Sequence, residues 1–216
     1  SALMEKLKKL GKKKLVLKPV PIIYQQSPTA AADYFFHQHL AINVAKEIAT
    51  VIPLKKYKLP QKKAAGARKA IRDGLVIEKS HDFRNFFQIV DKNLFEKYGT
   101  LATHTSQEME HLSNLFADDI VLWSVLRSGK MVGGIIIYVY GTCLHAQYIA
   151  QTATAKASRA LDLIIHHIFT HYTDKTYFSF GISTESHGTF LNADLINSKE
   201  EYSCSSISFD TYEIQL

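Results

Sequence analysis

The stretch from His145 to Ser183 leaves this chain the fewest options. It reads as a short strand (His145-Ala-Gln-Tyr-Ile-Ala150), a polar loop from Gln151 to Lys156, a long amphipathic helix, and a second strand (Tyr177-Phe-Ser-Phe180). In the helix Ala157, Ala160, Leu161, Ile164, Ile165, Ile168 and Tyr172 recur at helical spacing, a stripe that covers one face of a sheet. Strand, helix and strand at this length form a crossover unit, which places the two strands parallel with a right-handed connection. The unit also aims the free N–H groups of the helix start at the loop after the first strand, where they can hold an anion such as a pyrophosphate.

The remainder supplies the flanking elements. Leu3 to Leu10 reads as a helix stopped by Gly11, Leu15 to Leu17 as a strand, residues 29–46 as a helix opened by Ser27-Pro28, and Ile48 to Leu54 as another strand. Lys62 to Asp73 is a basic helix ended by Gly74, followed by a strand from Leu75 to Glu78. His81 to Tyr98 is a helix with Phe83, Phe86, Phe87, Val90 and Leu94 on one side, and Thr105-Ser-Gln-Glu108 is a capping box that opens a helix to Phe116. Ile120 to Leu126 and Met131 to Tyr140 form a hairpin around Arg127-Ser-Gly-Lys130, Thr189 to Glu201 is a helix, and Ile207 to Ile214 the last strand. The order strand, loop, helix, strand occurs both in Leu15 to Leu54 and in Tyr177 to Leu216, which reads as a distant repeat or as two similar units met by chance.

Composition narrows the setting. A chain of 216 residues with 46% hydrophobic content builds an ordinary packed core. Two cysteines, Cys143 and Cys204, are too few for a disulfide framework, and neither a signal peptide nor an apolar run of membrane-spanning length is present, so the expected setting is the reducing cytoplasm. Charge is uneven. Residues 1–72 carry sixteen Lys/Arg against three acidic residues, a net +13, while residues 73–216 carry ten against seventeen, a net −7. Such a basic leading segment attracts phosphates on RNA, lipid or a charged substrate; the alternative is a solvated lysine-rich surface.

Residues 75–214 thus read strand, helix, helix, three antiparallel strands, helix, strand, helix, strand. This order resembles the GNAT acyltransferase fold, an α/β architecture with a mixed, mostly antiparallel sheet, a splayed central parallel pair and helices on both faces. His145-Ala-Gln-Tyr-Ile149, Ala160-Leu-Asp162, Phe178-Ser-Phe-Gly-Ile-Ser-Thr-Glu185, Leu191-Asn192, Leu195-Ile196 and Lys199-Glu200 resemble a FemAB-like branch found in bacterial surface-polysaccharide gene neighbourhoods. Arg68-Lys-Ala-Ile-Arg-Asp-Gly74 resembles the helix that joins two tandem GNAT units in that branch. The resemblance implies three parts: residues 1–60 as the C-terminal remainder of a first GNAT-like unit, 61–74 as a basic linker helix, and 75–216 as the acyltransferase domain.

What the resemblance implies for the site can be set on named residues. The strand at His145 splays from its parallel neighbour and exposes backbone to the pantetheine of an acyl-CoA donor, acetyl-CoA first among them, so Tyr148, Ile149, Ala150, Gln151, Thr152, Ala155, Lys156 and Asn192 are the candidate donor-binding residues. The usual Gln/Arg-x-x-Gly-x-Gly/Ala signature is here Gln151-Thr-Ala-Thr-Ala-Lys156, with alanine where glycine lets a backbone approach phosphates, and Lys156 and Arg159 are the charges available to compensate. Acyl transfer needs a base and hydrogen bonds to an oxyanion. His145 and Glu185 are the candidate catalytic groups, with a cross-sheet hydrogen-bonded histidine and a capping or ion-paired glutamate as their alternatives. His104, Gln147 and Ser183 are the candidate acceptor-binding residues.

Ser179 stands where the resemblance expects Asp, which raises altered or absent activity. His167 and His171 at i,i+4 have no carboxylate or cysteine to complete a metal site, so no metal is expected, and Ser183 lacks a nucleophile elbow. The functional expectation is an acyltransferase moving an acyl group, acetyl in the first instance, from acyl-CoA to an amine of a sugar or cell-surface precursor. The alternatives are a FemAB-like transferase using aminoacyl-tRNA and a non-catalytic GNAT-like binding module.

Overall fold

Eight strands form one mixed sheet in the order β1-β10-β2-β7-β6-β5-β4-β3, antiparallel at every junction except β6–β7. The computed structural model describes residues 2–27 and 29–216. In chain order the elements are α1 (Ala2–Lys9), β1 (Lys14–Leu17), α2 (Ala31–Gln38), β2 (Ile42–Pro53), α3 (Gln61–Arg72), β3 (Leu75–Ser80), α4 (Phe83–Tyr98), α5 (Ser106–Leu115), β4 (Ile120–Arg127), β5 (Lys130–Tyr140) and β6 (Cys143–Gln151). They continue with α6 (Ala153–Ala157), α7 (Ala160–His171), β7 (Tyr177–Ile182), β8 (Thr184–Glu185), β9 (Phe190–Leu191), α8 (Ala193–Glu200) and β10 (Ser205–Gln215). This is the GNAT-like mixed α/β fold expected from the element order.

Local chemistry fixes the ends of these elements. The β4–β5 hairpin turns through Ser128 (φ 50°) and Gly129 (φ 75°), the left-handed pair that matches strand twist. Asp82 accepts the Asn85 N–H to open α4, Gly99 (φ 65°) closes it, and both halves of the Thr105–Glu108 capping box form.

Packing follows the alternation of side chains across strands. Ile135 and Ile137 of β5 face the layer of α3 and α7, where Ala67, Ala70, Ile164, Ile165 and Ile168 cover Trp123, Leu144 and Phe178. Ile136 faces the opposite layer, where Phe83, Phe86, Phe87 and Met109 of α4 and α5 cover Ile120, Leu122 and Ala150. Each fully buried phenylalanine or isoleucine contributes about 1.5–3 kcal/mol relative to exposure.

Three expectations are corrected. The helix expected over residues 29–46 is shorter, because Leu40 turns left-handed (φ 49°) and the Ala41 N–H closes on the Phe36 carbonyl, after which Ile42 and Val44 run in β2. Of the Ser27-Pro28 start signal, Pro28 lies outside the described residues. Of the polar loop expected at 151–156, Gln151 ends β6 and Thr152 caps the short helix α6, and the long helix breaks at Arg159 (φ 63°) before α7 begins. The helix expected from Thr189 starts only at Ala193, since Phe190–Leu191 pairs with Thr184–Glu185 as a small hairpin.

The faint repeat has a structural counterpart. β1-α2-β2 and β7-α8-β10 exchange strands: β2 lies between β7 and β10, and β10 lies between β1 and β2. The order β1-β10-β2-β7 is therefore unchanged when the two units swap places, a local pseudo-two-fold about the antiparallel β10–β2 pair.

Candidate functional site

The parallel pair β6–β7 is matched only at Cys143–Tyr177, Leu144–Phe178 and His145–Ser179. Beyond His145–Ser179 the strands part: β6 stays with β5 to Gln151, and β7 stays with β2 to Ile182. Each diverging strand carries an extra residue, the local kink that a bulge produces. On β6 the register shifts between Ala146 and Tyr148, leaving Gln147 over; on β7 it shifts between Ser179 and Ile182, where Gly181 adopts φ 71°. A side chain at Gly181 would also meet the His145 ring at 3.4 Å.

His145 sits at the apex of this opening, and its Nδ1 lies 2.8 Å from the hydroxyl of Tyr24. Burial, helped by the nearby Lys199 ammonium, pushes the imidazole down to about 4, so it is neutral near pH 7. Burial raises the Tyr24 phenol to about 12 despite the Ser179 hydroxyl, which pulls the other way. Buried Ser179 also accepts the Gly181 N–H at 3.1 Å.

Lys199 completes the cluster. It is buried on α8 with its ammonium donating to the carbonyls of Gly181 (3.1 Å) and Ile182 (2.7 Å) and to the Ser183 hydroxyl (2.9 Å). All three partners are neutral, and burial lowers the amine to about 8. Its three N–H groups are all engaged, so Lys199 acts on developing negative charge through its field rather than by direct donation. Sequence reasoning did not single out Lys199 or Tyr24 as site residues. For Lys199 a signal existed, since it shares the apolar stripe of Leu195 and Ile196 on α8.

The other predicted residues fall into separate groups. Tyr148 accepts from the His104 N–H (3.3 Å) and meets His104 Nδ1 at 2.8 Å, with its ring against Phe87. Glu185 is exposed and accepts from Asn192 Nδ2 (2.7 Å); Asn192 also caps α8 through Leu195 N–H and reaches the Tyr98 hydroxyl. Ile149 is half-exposed beside Leu161 and Ile164 of α7, whereas Ala150 packs under α4. Gln151 donates its backbone N–H to Asn93, and Thr152 donates its own to the Val132 carbonyl. The Thr152 hydroxyl accepts the Ala155 N–H, so one of the donors expected for an anion is already engaged. Ala155 is buried and Lys156 exposed. Arg159 is turned inward, with Nε and Nη2 at 2.7 and 2.6 Å from Asp162 Oδ2, away from the charge-compensating position expected of it.

On the α4 side of the sheet a cavity of about 780 Å³ ends at His145. Tyr24, Tyr138, Tyr140 and Phe209 line it together with Pro19, Val20 and Pro21. His167 and His171 lie elsewhere, their rings packed on Trp123 at 4.5 and 4.8 Å.

The fold has counterparts among solved structures. The crystal structure of FemX superposes with a TM-score of 0.74 at 12% identity, covering 100% of this chain and 76% of its own. L-PGS from Bacillus licheniformis gives 0.68 at 12%, with 100% and 72% covered. The C-terminal domain of a putative lysylphosphatidylglycerol synthetase from Agrobacterium fabrum gives 0.66 at 14%, with 100% and 71% covered. At such identities the likeness establishes the fold. No family model and no curated protein sequence matches the chain. Among the described residues no helix is long and apolar enough to cross a membrane.

Proposed function

We propose that this chain is an acyltransferase whose donor carbonyl lies in the opening beyond His145 and Ser179. The observation that carries the reading is the parting of β6 and β7 at a point where a neutral imidazole and a buried ammonium converge. An amine attacks the donor's carbonyl carbon, the C–N bond forms, and the bond to the donor's thiol or hydroxyl breaks; the proton leaving the amine ends on that leaving group. Lys199, with its three N–H groups already donated, is suited to stabilise the oxyanion by its charge. For His145 to carry the proton, its own hydrogen must sit on Nδ1, donated to Tyr24, leaving Nε2 free toward the opening.

Acyl-CoA, acetyl-CoA in the first instance, is the donor the fold resemblance implies, and an amine of a sugar or cell-surface precursor its acceptor. A second reading, a FemAB-like transferase drawing on aminoacyl-tRNA, is favoured by a specific observation: the loop after β6 is closed into α6, with Thr152 on the Ala155 N–H and Arg159 drawn to Asp162. The net +13 of residues 1–72 points the same way. The exchanged strands β2 and β10 support reading residues 1–60 as the remainder of a first GNAT-like unit joined through α3.

Incubation of the chain with radiolabelled acetyl-CoA or with charged tRNA, each with a mixed amine pool, tests both. Label transferred from acetyl-CoA supports the first donor, salt-sensitive transfer from tRNA the second, and binding without transfer is the behaviour of a non-catalytic module.

A further inference from the structure

The cavity beside His145 has a chemistry of its own. Pro19, Val20, Pro21, Phe116, Ile120 and Phe209 give it predominantly apolar walls, and at about 780 Å³ it is within the range that encloses a small organic molecule. Tyr24 stands edge-on to both Phe209 and His145, at ring separations of 6.0 and 5.8 Å, so aromatic surface continues to the imidazole. Its charges are equally telling. Lys18, the lining ammonium, is neutralised by Glu47 at 2.6 Å. Asp119 lines the cavity and is exposed, with no ionic partner among the described residues. The cavity therefore offers one uncompensated negative charge among aromatic faces, which attracts an ammonium and disfavours a phosphorylated body.

Resting on the transferase reading, and in place of the sugar amine that the resemblance implies, we infer that the acceptor is an amine carried on an apolar, uncharged body, an arylalkyl- or alkylamine, bound in this cavity beside His145. The carboxylate and the tyrosine faces draw the cation in, the proline and phenylalanine walls hold the body, and the nitrogen reaches the opening through the His145 end. An amino sugar linked to phosphate would set its hydroxyls against mostly apolar walls and its anion near the Asp119 carboxylate.

The test is calorimetric titration of the 216-residue chain, without donor, using benzylamine, octylamine, glucosamine and glucosamine 6-phosphate. Benzylamine or octylamine should bind at least about tenfold tighter than either sugar, the discrimination expected of a predominantly apolar wall. Asp119→Asn should weaken benzylamine by about fivefold and leave benzyl alcohol unchanged, isolating the charge. Val20→Ser, at an exposed wall position that leaves the core intact, should weaken both apolar amines. Equal or tighter binding of either sugar, or an Asp119→Asn variant with undiminished benzylamine affinity, overturns the inference. Transfer assays separate its failure from that of the reading beneath it. Acylation of sugar amines alone removes the apolar acceptor and keeps the transferase, whereas tight benzylamine binding without transfer from either donor keeps the site and removes the transferase.

Discussion

The hydroxyl of Tyr24 and Nδ1 of His145 lie 2.8 Å apart although 121 residues separate them. Tyr24 arrives on the short 3-10 turn at Ile22–Tyr24, from the part of the chain that also contributes β1 and β2, so the leading segment shapes the site as well as the sheet. Tyr24→Phe keeps the ring packing and deletes the hydrogen bond that orients the imidazole. Turnover should fall about tenfold or more, with donor KM changed little, because orientation of a proton carrier acts on the chemical step. Steady-state kinetics with saturating donor check it.

His145 also ties stability to pH. Its folded-state value of about 4 lies below the ordinary 6.5, so the unfolded chain takes up a proton that the folded chain refuses. The stabilisation is complete above pH 6.5 and is lost as pH falls toward 4, by up to about 3 kcal/mol at 1.36 kcal/mol per unit. Burial lowers His167 as well, with the same sign. Urea unfolding between pH 7 and pH 4 should show the midpoint falling, and His145→Phe should flatten the slope.

Gly66 and Asp162 form a second constraint, in the interface of α3 with α7. Asp162 is buried, paired to Arg159 and accepting from the Tyr202 hydroxyl at 2.7 Å, and a Cβ on Gly66 would overlap its carboxylate. Gly66→Ala should therefore lower stability by about 3 kcal/mol, since displacing the carboxylate breaks a buried charge network, even though alanine favours a helix. Thermal unfolding of the variant checks it, and an unchanged Tm would show that α3 shifts freely over α7.

The crossover unit, the capping box and the β4–β5 hairpin were legible because each is written in local periodicity or in turn residues at fixed offsets. What escaped depended on the fold around it. Leu40 ends α2 in a left-handed conformation that no glycine announces, so the helical pattern in the sequence runs on into Ile42 and Val44. Arg159 reads as a phosphate partner because it follows the loop, but it lies three residues before Asp162, and its left-handed backbone at the start of α7 turns the guanidinium onto that buried carboxylate. His145 reads as a splay residue from its position in the first parallel strand, whereas its partner Tyr24 is set by the exchanged strands, which leave no local trace in sequence.

Lys199 yields the sharpest prediction, because stability and activity should respond to it in opposite directions. Its folded-state value is about 8 against an ordinary 10.5, so between those limits the unfolded chain holds a proton that the folded chain has released. Stability should therefore rise as pH climbs from 8 toward 10.5, by up to about 3 kcal/mol. A reaction that relies on the ammonium to stabilise an oxyanion should lose rate over that same interval. Lys199→Met retains the apolar stem of the residue and removes the charge. It should lower turnover by about tenfold or more, since the nearby charge that stabilises the oxyanion is lost, and abolish the alkaline gain in stability. Rates and urea midpoints measured across pH 7 to 10.5 on both proteins decide the matter: a variant with wild-type turnover that still lacks the alkaline gain would leave Lys199 as a buried structural cation that ties α8 to the end of β7.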